Sequence, residues 1–183
     1  MKFFILVALG AVAIGSSTAQ AQREDQFAWG LGVGVTPVSG RAADVHKLGA
    51  HAYGSLGIGM VDSPWGVRFD AMYSSLGDKD NSPQGSAKVF MLTANGIVNI
   101  YGSNTHVYGI AGLGGHWYNP SKSGTSAEND FMMQAGLGVW LNFANMFVEA
   151  KWANLYRALP DPISGKQGKR SAQLYPVTLG IMF

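Results

Sequence analysis

The 183 residues contain no cysteine, which excludes a disulfide framework and any thiolate metal site. Net charge is also scarce: 13 Lys and Arg stand against 11 Asp and Glu, a formal +2. That near balance argues against the basic surface a nucleic-acid partner requires. Beyond the N-terminal leader, no segment approaches the roughly 18 consecutive apolar residues of a spanning helix. The 25 glycines interrupt every amphipathic helical pattern. The four histidines, His46, His51, His106 and His116, show no H-x-H or H-x₃-H pairing, so no metal site is expected. Gly30-x-Gly32-x-Gly34 and Gly112-x-Gly114-Gly115 lack the following helix that a phosphate-binding loop needs, and no cofactor is expected.

What is present begins with an export signal. Lys2 precedes an apolar run from Phe3 to Ile14, and Ser16–Ala21 ends in Ala19-Gln20-Ala21. This is the pattern of a cleaved signal peptide over residues 1–21, too short and wrongly flanked to be a membrane anchor. The mature chain then starts at Gln22 and has 183 − 21 = 162 residues, enough for one domain over 22–183.

Within that domain the hydrophobic period is two. Tyr175, Val177, Leu179, Ile181 and Phe183 alternate with Leu174, Pro176, Thr178, Gly180 and Met182, and successive residues of a strand point to opposite faces. Strands are predicted at 27–37, 48–60, 65–75, 88–101, 105–117, 130–143, 146–156 and 173–183. Most are long enough to cross a bilayer at a tilt, which takes about 9–11 residues. Connections alternate between tight turns (61–64, 102–104, 144–145) and long polar segments (38–47, 76–87, 118–129, 157–172). That alternation predicts an all-β, eight-stranded antiparallel up-and-down transmembrane β-barrel, with both termini at the short-turn, periplasmic side. Pro176 falls inside the last strand, where a bulge would accommodate its missing donor.

The faces support lipid outside. One parity carries Trp65, Val67, Phe69, Ala71 and Tyr73, or Phe131, Met133, Leu137, Val139, Leu141 and Phe143. Aromatics of that parity collect near both strand ends, as in the girdles of membrane barrels. The other parity is rich in Gly, Ser, Asn and Thr and reads as a cramped, hydrated interior; Trp140 fits it poorly. A soluble lipocalin-like barrel would have the same period with its apolar face inward. Its water-facing strands would carry many Lys and Glu, whereas the mid-strand charges here are Arg68, Asp70, Glu149 and Lys151.

Gly66–Ser74, Tyr108–Gly114, Phe147–Trp152 and the Tyr175–Phe183 tail resemble the small outer-membrane β-barrel domain family, the OmpA/OmpX-like barrels. The resemblance covers essentially the whole mature chain. It implies a bacterial outer-membrane location, and an assembly signal in Tyr175, Val177, Leu179, Ile181 and Phe183 that the barrel-assembly machinery reads during biogenesis. Some relatives continue into a periplasmic peptidoglycan-binding domain, a role not expected here.

Arg68, Asp70, Glu149 and Lys151 are the most informative polar set. They lie on the third and seventh predicted strands, diametrically opposed in an eight-strand ring, at matching depth. Since side chains just fill an eight-stranded interior, opposite charges are expected to pair and plug the lumen; local pairing of sheared rows is the alternative. Arg157, Lys166, Lys169 and Arg170 in the last long connection are placed to meet lipopolysaccharide phosphates. The expected role is a monomeric, non-enzymatic barrel with a structural or surface-interaction function, its partners being outer-membrane lipids and lipopolysaccharide. A narrow channel for small solutes is the alternative. A lipid A-modifying enzyme is less favoured: no catalytic residue is assigned, because four residues along a strand put His51 and Ser55 roughly 13 Å apart and no serine follows His106 at the needed spacing.

Overall fold

The structure, a computed structural model, describes residues 27–40, 42–59, 64–79, 85–101, 105–122, 127–156 and 171–183. The alternating segments form β1 (Phe27–Thr36), β2 (Val38–Ser39), β3 (His46–Ile58), β4 (Trp65–Asp78), β5 (Ala87–Tyr101), β6 (Thr105–Pro120), β7 (Glu128–Leu141), β8 (Met146–Leu155), β9 (Ala172–Leu174) and β10 (Val177–Met182). A single helical turn, α1 (Ala42–Val45), lies between β2 and β3. Each strand pairs antiparallel with its neighbour, and β10 pairs with both β1 and β8, which closes the ring. β2 and β9 pair with each other and prolong β1 and β10. The ten strands therefore make eight staves, the up-and-down barrel that the alternation implies. Closure through β10 removes the open sheet edges along the middle of the wall; among the described strands β2 has a single partner, β9.

The closing staves carry a correction. No bulge forms at Pro176. Val35 stands opposite Val177 and Val38 opposite Leu174, so the register passes unchanged through Pro37 and Pro176. Proline removes a donor but keeps its acceptor: Tyr175 N–H donates to the Pro37 carbonyl at 2.8 Å and Lys151 N–H to the Pro176 carbonyl at 2.9 Å. True register shifts occur elsewhere, at Lys47/Gly49 on β3 and at Asn99/Tyr101 on β5.

The start of β1 and the end of the last stave meet at the short-turn end. Trp29 and Phe183 exchange backbone hydrogen bonds of 3.0 and 2.8 Å, and their rings stack at 4.3 Å. At the same end, Asn145 closes the β7–β8 turn with φ at 49°, a left-handed conformation that asparagine tolerates. The middle of the outer wall is apolar. Trp65, Phe69, Val33, Leu113, Leu137 and Leu179 are all exposed. At the loop end, Phe90 lies against Trp117 and Phe131 against Tyr156, with ring centroids 5.5 and 5.7 Å apart. Such a surface has no counterpart on a water-soluble monomer, where large contiguous apolar patches are rare.

Candidate functional site: the filled lumen

The inward parity of the eight staves builds three layers. In the central one, Arg68 and Asp70 rise from β4 and face Glu149 and Lys151 on β8, across the lumen. The Arg68 guanidinium grips Glu149 with both terminal nitrogens, Nη2 reaching Oε2 at 2.9 Å, and its Nε donates to Asp70 Oδ1 at 2.7 Å. Lys151 Nζ lies 3.3 Å from Asp70 Oδ2 and 3.0 Å from Glu149 Oε2. Thus the structure brings the four predicted charges together, with cross-lumen and same-strand pairs both present. Arg68 and Glu149 are each 0% exposed.

Burial of ions is costly unless each is paired and its remaining hydrogen-bonding capacity is met. Two cations oppose two carboxylates, so the layer is neutral, and neutral side chains complete it. Tyr108 OH donates to Glu149 Oε1 at 2.6 Å. Gln134 Nε2 donates to Asn95 Oδ1 at 2.6 Å and Thr93 Oγ1 at 2.8 Å. Lys151 Nζ sits 4.3 Å over the Tyr53 ring, and Arg68 lies 5.7 Å over it, cation–π contacts of the kind favoured in desolvated sites. Toward the loop end, His51 bridges the hydroxyls of Thr36 and Thr178, each at 2.9 Å, and Ser74 Oγ donates to Thr36 Oγ1 at 2.9 Å.

The other two layers are apolar, which overturns the expectation of a hydrated interior lined mainly by small polar groups. At the loop end Leu76, Val89, Met91, Met132, Leu155 and Leu174 are buried together, and Ala42 of α1 is buried against the same core cluster. Lys79 holds that turn in place: its Nζ donates to the Ala43 carbonyl at 2.6 Å and its N–H to the Val45 carbonyl at 3.2 Å. His46 Nε2 meets Tyr118 OH at 2.6 Å at the same level. At the short-turn end Phe147, Ile97, Met182 and Ala28 fill the bore, with Trp140 packed against the core. Trp140 therefore does occupy the inward parity, as a partly buried member of this layer.

Interior glycines are sockets for these large groups. A methyl at Gly138 would run into the Tyr108 ring, and one at Gly180 into the Phe147 ring. This is how a narrow bore accepts rings at all: the adjacent stave gives up its side chain at the paired position.

Tyr53 and Tyr108 are the members of the central layer that sequence reasoning left without a role. Parity alone put Tyr53 inward, but the glycines of β6 blur its faces, and only the register places Tyr108 level with Gly138. His51 contacts Thr36 and Thr178 rather than Ser55. His106 packs on Trp140 with ring centroids 5.7 Å apart. Among the described residues no group of three or more His, Asp or Glu side chains is disposed to hold a metal ion. Tyr175, Val177 and Leu179 point outward from the closing stave, with Ile181 and Phe183 partly covered. The signal-peptide expectation for residues 1–21, and Arg157, Lys166, Lys169 and Arg170, lie outside the described residues.

The fold has known counterparts. The neisserial surface protein NspA is similar over 86% of this chain and 96% of its own, with a TM-score of 0.60 and 15% identity. Ail, the attachment invasion locus protein of Yersinia pestis, solved with the heparin analogue sucrose octasulfate, is similar over 86% of this chain and 97% of its own, with a TM-score of 0.51 and 16% identity. The N-terminal β-barrel domain of Pseudomonas aeruginosa OprF covers 87% of this chain at a TM-score of 0.50 and 16% identity. No family model matches the sequence, and none of the curated proteins does. The chain has the fold of the small eight-stranded outer-membrane barrels; at such identities the likeness carries the fold alone.

Proposed function

We propose that this protein is an integral barrel of the bacterial outer membrane whose lumen is closed and whose work is done at its surface, as a structural or surface-interaction protein. The observation that carries the reading is the filled bore: a neutral, buried charge layer between two apolar layers, inside a wall whose outer face is apolar across its middle band. A lipid-facing exterior with an internally satisfied backbone is what a bilayer demands. Both termini then face the periplasm and the long connections face outward. The basic loop residues Arg157, Lys166, Lys169 and Arg170 are proposed to meet lipopolysaccharide phosphates. Ail, on a similar fold, is known with a polysulfated sugar bound, and clustered cations at a membrane rim suit that class of ligand.

The channel alternative has less support, because rings and aliphatic side chains cover the interior glycines that would leave a water path. Lipid A modification has less still, since buried His51 and His46 contact threonine and tyrosine hydroxyls, His116 is enclosed in the core, and partly buried His106 packs on Trp140. The test is single-channel recording on the purified barrel in planar bilayers. No conductance steps are expected. Stable ion-selective openings by the unmodified protein would replace the closed reading with the channel, and a mass change in lipid A co-incubated with the barrel would replace it with the enzyme.

A further inference from the structure

The inward and outward parities of β3 change places near its loop end. Along most of the strand His51, Tyr53 and Gly49 face inward, so simple alternation would send Lys47 into the bore as well. The register shift between Lys47 and Gly49 prevents it. Bulges re-aim side chains, and this one turns Lys47 and Leu48 outward while admitting His46 to the interior. Lys47 then stands beside Gly77 of β4, whose absent side chain leaves a notch: a methyl there would lie 3.4 Å from Lys47 Cβ.

On the other flank of β4, Lys88 of β5 is exposed between Ser75 and Asn119 in one cross-strand row. The next row inward is aromatic, Tyr73 beside Phe90 beside Trp117. Two residues of strand set Lys88 about 7 Å beyond that belt, and Lys47, opposite Gly77 rather than Ser75, lies a further two residues toward the loops; both stand on the outer side of rings of the kind that mark the headgroup level. Among the described strand residues on the outward parity, Lys47 and Lys88 are the charged ones, and both are cations. They flank β4 two inter-strand spacings apart with a two-residue offset, roughly 12 Å in all, within reach of one bisphosphorylated headgroup on their flexible stems.

We propose that Lys47 and Lys88 form a clamp for the phosphates of a phosphorylated glycolipid of the outer leaflet, with the Tyr73–Phe90–Trp117 row packing its acyl chains. This rests on the outer-membrane reading above and locates a lipid contact on the barrel wall, apart from the last loop. A cation near a lipid surface contributes about fivefold in affinity. The test uses the mature barrel refolded in phosphatidylcholine vesicles, with binding of bisphosphorylated lipid A measured against dephosphorylated lipid A and phosphatidylglycerol. The expected result is preference for the bisphosphorylated form, a loss of about fivefold for K88Q and about twenty-fivefold for K47Q/K88Q, and retention by K47R/K88R. K88Q changes only an exposed tip, so it reports even if the double variant assembles poorly. Equal binding of phosphorylated and dephosphorylated lipid A by a folded, inserted barrel, or equal competition by phosphatidylglycerol, would overturn the clamp and leave the membrane reading standing. Failure of the unmodified barrel to insert into vesicles would overturn both.

Discussion

The middle of the bore and its two ends are lined by the same parity of the same strands, yet they are filled in opposite ways. At the centre Arg68, Asp70, Glu149 and Lys151 meet in buried positions; a few rows toward the loops Leu76, Met91, Met132 and Leu174 pack as a core. The apolar ends keep water from the central ions, so their mutual attraction is strengthened and the cost of leaving one unpaired rises. The difference teaches that an ion network inside a barrel is only as fixed as the plugs on either side of it.

The largest expected effect comes from breaking the network at one point. Glu149→Gln leaves Arg68 and Lys151 sharing Asp70 alone and should lower unfolding stability by about 3–5 kcal/mol, read from urea midpoints in detergent. Replacing all four charges with small neutral residues should cost less per residue. A double-mutant cycle at Arg68 and Glu149 should show coupling above about 0.5 kcal/mol, and additive losses would mean that the two do not hold each other. Leu76→Ala tests the loop-end plug: as a buried large-to-small change it should cost about 2–5 kcal/mol, with no change in the charge cycle if the layers act independently and weaker coupling if water enters. Gly138→Ala should cost about 1–3 kcal/mol, since the Tyr108 ring must move from the added methyl. Gly96→Ala sharpens the contrast, because a methyl on that outward glycine would make only an ordinary 3.9 Å contact with the Ala111 carbonyl and the change should stay within about 0.5 kcal/mol. Equal effects at Gly138 and Gly96 would refute the socket account.

Much of this was legible before the structure. The eight alternating segments matched the eight staves to within a few residues, and Arg68 and Glu149 were expected opposite each other from strand count and depth alone. Parity is a local property, written residue by residue, which is why faces and girdles could be read. The apolar plugs were harder to see: Leu76, Val89 and Met132 are scattered through different strands, and nothing local says that their side chains converge. Pro176 misled for a related reason, since a missing donor predicts a local defect but the neighbouring staves absorb it without a shift. The bulge at Lys47/Gly49 had no sequence signal beyond a run of two outward residues.

By itself, the sequence determined the period, the order of staves and the neutral set of charges, because these follow from side-chain chemistry and the two-residue repeat of an extended chain. Only the tertiary structure decided which inward residues share a level, that Tyr108 lies over Gly138 and donates to Glu149, and that two lysines flank β4 above the aromatic row. Those facts depend on inter-strand register and closure, which are settled by packing among distant segments and have no representation in any one of them.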